Sequence, residues 1–217
     1  MKRWLRSRSR RGQSIVEFTL ILPVIMFLML GMIEMGYAIN HNTSIVTATR
    51  EGARVGSELV NGSSVRHCGD STHAADVDAN IIAATEGVLR SPGSPVAVTQ
   101  VTSIVIFEVD EHGTRTGNQN TWISAVTGTA PNYIANGDVI PGTTTKLFFK
   151  ANGVGSYPAS GRCGSSPAHG IGVQIIYTYK FITPLGSVIS AFGGSLFGNG
   201  QITMSDQTTM ALEPPAP

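Results

Sequence analysis

The chain has 217 residues, enough for one domain of ordinary size plus an anchor, and 41% of them are hydrophobic against 13% charged. Its formal charge of +1 hides an asymmetry: Lys2, Arg3, Arg6, Arg8, Arg10 and Arg11 hold six of the fifteen basic side chains, leaving nine basic against fourteen acidic groups in the rest. A body with surplus acid excludes a nucleic-acid-binding role, which needs a basic face.

An apolar run follows the basic tip. Phe18 to Ile33 are sixteen residues without a charge, and Ile15 to Ile39 contains only Glu17 and Glu34. As a helix, Gln13 to Asn40 would extend roughly 42 Å at about 1.5 Å per residue, more than the ~30 Å hydrocarbon core of a bilayer. Positive charge on the leading flank places the N-terminus in the cytoplasm. A cleaved secretory signal is the rival reading, but the run is too long for one and no small-x-small cleavage site follows it cleanly. Pro23 removes one backbone hydrogen bond, which membrane helices tolerate. Glu17 is harder to place. An acidic side chain costs about 2.5–3.5 kcal/mol at the bilayer centre and less near an interface. A carboxylate in the first helical turn is also favoured by the helix dipole.

The order of features is informative: a basic leader, Gly12, four residues, Glu17-Phe18, then the apolar helix. This resembles the processing site of type IV pilin-like precursors, in which a prepilin peptidase cuts after the glycine and leaves the helix attached. The resemblance implies cleavage between Gly12 and Gln13, and a Glu17 that pairs with the N-terminal amine of a neighbouring subunit. Such pairing makes tolerable two charges too costly to bury singly. "GQSIVEFTLILPV", "GMIEMGYA" and "TATREGARVGS" together resemble the TadE-like proteins of tight-adherence (Flp) pili over about the first 57 residues. "IIYTYKFITPLGSVIS" and "TTMALE" resemble that family's closing strands less specifically. Because a large body follows the helix, the resemblance implies a minor pilin or pseudopilin. Its partners would be a prepilin peptidase, other pilin subunits and the inner-membrane assembly platform, with a single span in the cytoplasmic membrane and the body outside.

Beyond the span the helix is expected to run to about Leu59. Ala48, Gly52 and Gly56 recur every four residues on it, a small-residue stripe that admits close helix packing. Arg50, Glu51 and Arg54 read as a solvated face or as a subunit contact, and Arg54 and Glu58 are spaced to pair. Asn61-Gly62-Ser63-Ser64 ends this helix. A second helix is expected from about Thr72 to Arg90, capped by Ser71 or Thr72, with Val77, Ile81, Ala84 and Val88 on one face and Ser91-Pro92-Gly93 as its stop. Strands are expected at Val96–Val109, Thr144–Lys150, Gly172–Phe181 and Gln201–Ala211, separated by Gly/Pro/Asn turns. The fold class is therefore α+β: a long N-terminal transmembrane helix extends into a pilin-like body with a second helix packed on an antiparallel sheet. The divisions are 1–12 leader, 13–60 span and extended helix, 61–211 extracytoplasmic domain and 212–217 disordered tail. Trp122 reads as core filler or loop cover, against a ligand site.

Cys68 and Cys163 are the two cysteines, and an exported domain favours a disulfide between them. Metal binding is the alternative for "HCGDSTH", with His67, Cys68, Asp70 and His73, but the spacing fits no zinc signature. No nucleophile elbow, phosphate-binding loop or zinc-protease motif is present, and "GGSLFGNG" reads as a turn. The expectation is a structural protein with no cofactor, no metal and no catalytic residue. Alternatives are a membrane-anchored adhesive or binding module and a type II secretion pseudopilin.

Overall fold

One helix, α1 (Gln13–Leu59), takes up the apolar run and continues well past it. The structure, a computed structural model, describes residues 13–59, 73–129, 132–157, 169–187 and 200–212. Pro23 lies within α1 without ending it. Polar side chains on α1 satisfy themselves locally: the hydroxyls of Thr19, Thr43 and Thr47 donate to the carbonyls of Ile15, Ile39 and Thr43 at 2.8, 3.0 and 2.9 Å. Such back-bonding lets a hydroxyl sit in an apolar helix with no outside partner.

Among the described residues the body supplies a second helix, α2 (His73–Leu89), and seven strands: β1 (Val101–Val109), β2 (Arg115–Ser124), β3 (Val126–Thr129), β4 (Asn132–Ala135), β5 (Phe149–Ala151), β6 (Gly170–Lys180) and β7 (Gln201–Ala211). Five strands form one sheet in the order β5-β2-β1-β6-β7, while β3 and β4 form a separate hairpin. β1 runs antiparallel to both β2 and β6, and β2 antiparallel to β5. The α+β class and the antiparallel sheet are thus as expected. The chain divides into two compact units, one of Met1–Ala38 with Lys180–Gln201, the other of Ile39–Tyr179 with Ile202–Pro217.

In the larger unit the strand patterns explain the core. On β6 the alternate residues Ile171, Val173, Ile175, Tyr177 and Tyr179 are buried, as a strand with one face inward requires. Ile104 and Ile106 of β1, Ile81 and Ile82 of α2, and Ile45 and Ala48 of α1 are sealed in the same core. Trp122 is buried on β2, so its reading as core filler stands. β1 turns into β2 through a tight loop in which Asp110 Oδ1 accepts the N–H groups of His112 (2.9 Å) and Thr114 (2.7 Å). Gly113, at φ +78°, takes the left-handed position that this loop needs.

Several expectations are corrected. The segment before β1 is not extended: Val98–Gln100 form a 3-10 turn, and the Gln100 side chain accepts the Ala97 N–H at 2.9 Å. Residues 144–148 do not enter the main sheet either. Ile140 N–H donates to Thr145 O and Leu147 N–H to Asp138 O, so this stretch folds back on its own upstream chain and only Phe149–Ala151 reaches β2. On α2 the buried stripe is rotated from the one expected. Val77, Ile81, Ile82, Thr85, Glu86 and Leu89 face inward, whereas Ala84 and Val88 are half-buried. Leu212, assigned to the tail, is buried, and its N–H donates to His169 O at 3.2 Å. β2, β3 and β4 are additions to the expected strands.

Candidate functional site

The first half of α1 displays its apolar side chains outward. Ile15, Leu20 and Met32 are each about two-thirds exposed, at 67%, 71% and 70%, and Phe18 is also open. α1 is the one described helix long and apolar enough to cross a membrane. Within its apolar stretch stand two carboxylates, Glu17 and Glu34, in opposite surroundings.

Glu17 is exposed, and among the described residues its hydrogen bond comes from the Gln13 side-chain amide one turn earlier, at 2.9 Å. Gly12 lies outside the described residues; Gln13 is the first residue of α1. Phe18 points outward beside Glu17, so this end of the helix presents one carboxylate and a ring to its surroundings.

Glu34 is the opposite case: it is buried. Its Oε1 accepts the Ile182 N–H at 3.1 Å, and its Oε2 accepts both the Thr183 N–H at 3.0 Å and the Thr183 hydroxyl at 2.7 Å. A carboxylate with three donors has the compensation that a buried charge requires. The segment it holds is itself compact. Phe181 N–H donates to Gly200 O at 3.0 Å, and a Cβ on Gly186 would lie 2.8 Å from Gly200 Cα.

The small-residue stripe serves packing inside the larger unit. A Cβ on Gly52 would meet Thr85 Oγ1 at 2.5 Å and Val173 Cγ1 at 3.5 Å; one on Gly56 would meet Ile171 Cδ1 and Ile81 Cδ1, both at 3.0 Å. Ala48 is fully buried, and the adjoining Thr49 hydroxyl contacts Asp206 (2.9 Å) and Thr208 (3.0 Å) on β7. α2, β6 and β7 of the same chain therefore occupy this face. Around the helix, Arg54 bridges Glu51 at 2.5 Å and Glu58 at 2.6 Å on the exposed side. Exposed pairs of this kind are worth little individually.

Buried carboxylates in the body are missed by sequence reasoning, Glu86 and Glu108 among them. Glu86 on α2 accepts the N–H groups of Phe148 (2.7 Å) and Phe149 (3.2 Å) through Oε1. Burial pushes its carboxyl up to about 7, against the opposing pull of those two N–H groups and of Arg90. Glu108 on β1 accepts from Thr116 and Asn118, each at 2.8 Å, and lies 2.7 Å from His169 Nδ1. Burial raises its carboxyl, but the bonds from His169, Thr116 and Asn118 outweigh this and hold it below the usual range. A signal exists for each. Glu86 follows Ile82 by one helical turn, and Glu108 continues the alternation of Ile104 and Ile106, so both occupy positions where an apolar residue is expected. Thr116 is the hydroxyl beside the Glu108–His169 pair, and it donates to the carboxylate; the arrangement pins the β1–β2 hairpin to the start of β6.

Among the described residues no group of three or more His, Cys, Asp or Glu side chains is placed to hold a metal ion. Cys68, Cys163, His67 and Asp70 lie outside the described residues, as does the "GGSLFGNG" turn apart from Gly200.

The model of the TadE-like protein family matches residues 12–54. The matched stretch opens on Gly12, contains Glu17, Phe18, Glu34, Ala48 and Gly52, and closes at Arg54; the body beyond it is unmatched. No curated protein and no solved structure matches the chain. The N-terminal helix of this protein is thus TadE-like, with a long apolar segment suited to membrane anchoring and an α+β body following it.

Proposed function

We propose that the protein is a minor pilin or pseudopilin of a tight-adherence (Flp) pilus, cut by a prepilin peptidase between Gly12 and Gln13 and retained in the cytoplasmic membrane by α1. The basic leader stays on the cytoplasmic side before cleavage, and the α+β body stands outside. Incorporation into the pilus brings α1 against the helices of other pilin subunits, and the body contributes to surface adhesion.

The observation that carries this reading is the unequal treatment of the two glutamates. A helix that only anchored the chain would have its carboxylates either absent or satisfied internally. Glu34 is satisfied three times over, whereas Glu17 stands exposed among open apolar side chains with, among the described residues, only Gln13 beside it. An ionisable group left in that setting waits for an intermolecular partner, and membrane energetics make such groups functional by default. The new α-amine of a neighbouring Gln13 supplies the matching charge. The family match over residues 12–54 supports the same reading, since it begins at the glycine where cleavage is proposed.

The test is Glu17→Val in the full chain, expressed in place of the wild type. Membrane insertion and the α+β body should be unchanged while incorporation into pili falls. Normal piliation with the variant subunit incorporated would refute charge pairing.

A further inference from the structure

Phe181 to Leu185 is an irregular segment in which every backbone donor is accounted for. Phe181 N–H donates to Gly200 O at 3.0 Å, Ile182 N–H to Glu34 Oε1 at 3.1 Å, Thr183 N–H to Glu34 Oε2 at 3.0 Å and Leu185 N–H to Thr183 Oγ1 at 3.4 Å. Pro184, the remaining residue, has no N–H to satisfy. The same segment turns apolar groups outward: Ile182 is 60% exposed and Pro184 is exposed as well. A surface loop in water has no need of complete internal satisfaction, because water serves its donors. Towards the hydrocarbon core the requirement grows strict, since an unpaired N–H out of reach of water there costs several kcal/mol.

The height of this segment follows from the helix that holds it. Glu34 lies twenty-one residues beyond Gln13, a rise of about 32 Å at 1.5 Å per residue. The hydrocarbon core is ~30 Å thick. With the start of α1 at the inner boundary, Glu34 and the residues bonded to it stand at the outer one. The uncharged stretch between Glu17 and Glu34 spans only about 24 Å, so the core also draws the margins of both glutamates inward.

From these observations we infer that Phe181–Pro184 is a second membrane-contacting element, a foot that lays Ile182 and Pro184 into the outer headgroup–acyl boundary while Glu34 holds its backbone. The occupant is lipid, because the exposed apolar surface of α1 leads continuously to Glu34 and the foot lies at that same level. Glu34 thereby carries an irregular turn at a depth where the turn's amides would otherwise be unpaired. This rests on the membrane-anchoring reading of α1 but not on pilus assembly.

An environment-sensitive fluorescent amino acid placed at Ile182 of the full chain, reconstituted in phosphatidylcholine–phosphatidylglycerol vesicles, tests the inference. A matching label at Ile25, in the middle of the span, serves as the control. The label at Ile182 should be quenched by lipids carrying a spin label near the headgroup and much less by lipids carrying it near the chain end, with the reverse order at Ile25. In Glu34→Ala the shallow quenching at Ile182 should fall while that at Ile25 persists. Water-like emission at Ile182 with a quenched Ile25 overturns the foot and leaves the anchor standing. Blue-shifted but unquenched emission at Ile182 also overturns it, in favour of cover by a second protein chain. Water-like emission at both positions overturns the anchor as well.

Discussion

Thr183 gives both of its donors to one oxygen of Glu34, its N–H at 3.0 Å and its hydroxyl at 2.7 Å. The bond joins residues far apart in sequence and ties the far part of α1's apolar run to an irregular turn. Glu17, in the same helix, has no such arrangement among the described residues. Similar in the sequence, the two glutamates are opposites in the fold.

Their substitution should therefore separate stability from assembly. Glu34→Ala leaves three donors without an acceptor and should lower stability by about 3 kcal/mol, given roughly 1–3 kcal/mol for each buried polar group left unpaired. Glu34→Gln keeps one acceptor oxygen and should cost less. Glu17→Val lies on an exposed face and should stay within about 0.5 kcal/mol of wild type. Thermal unfolding in detergent, with proteolysis mapped around residue 182, provides the comparison.

Gly52 and Gly56 should respond differently to the same methyl group. At Gly52 the new Cβ would lie 2.5 Å from Thr85 Oγ1, a hydroxyl already held by the Ile81 carbonyl at 2.8 Å. Overpacking of this sort costs roughly 1–3 kcal/mol and exceeds the ~1 kcal/mol gained in helix propensity. Gly56→Ala meets the methyl ends of Ile171 and Ile81 at 3.0 Å and the Ile81 Cγ1 at 3.4 Å, so the two effects should nearly cancel. Gly52→Ala combined with Thr85→Ala should recover part of the loss, which chemical denaturation of the purified chain can measure.

Glu86 makes stability depend on pH in an unusual direction. Its carboxyl is raised from 4.5 to about 7, chiefly by burial, so the native state holds that proton more firmly than the unfolded chain does. Between those values the native state binds more protons, and stability falls as pH rises, by about 3 kcal/mol in all from this one group. Above about pH 7 the loss is complete. Glu86→Gln retains an acceptor for Phe148 and Phe149 without the charge. Its melting temperature should drop less than that of the wild type between about pH 5 and pH 8; equal drops would assign the dependence elsewhere.

A disulfide between Cys68 and Cys163 would close a loop of about a hundred residues, worth up to ~4.7 kcal/mol in the loop-entropy description. Mass mapping after alkylation without reductant should find one linked peptide pair and no alkylated cysteine. Two alkylated thiols would remove the disulfide from the description of this protein.

How much is legible in the sequence depends on how strongly each segment's pattern is enforced by its surroundings. α1 declares itself through an uninterrupted apolar run, and β6 through Ile171, Val173, Ile175, Tyr177 and Tyr179 at alternate positions. β7 matches its expected bounds at both ends although none of its residues is fully buried, because Gln201 to Ala211 contains no Gly, Pro or Asn to break it. β2 is invisible: in "RTGNQNTWIS" only Trp122 is buried, and polar Thr, Asn and Gln fill a strand whose register comes from β1. The small-residue stripe is legible but its occupant is not, since nothing local to Gly52 names Thr85 or Val173. Glu34 likewise stands out in the apolar run without explanation, because its donors lie on a distant stretch of chain.

The proposed identity as a processed pilin subunit turns on one peptide bond. N-terminal sequencing of the chain purified from membranes of cells with an active prepilin peptidase should give a mature start at Gln13, followed by Ser14, Ile15, Val16 and Glu17. A start at Met1, or a cut near Ala38 that discards the apolar helix, would contradict it.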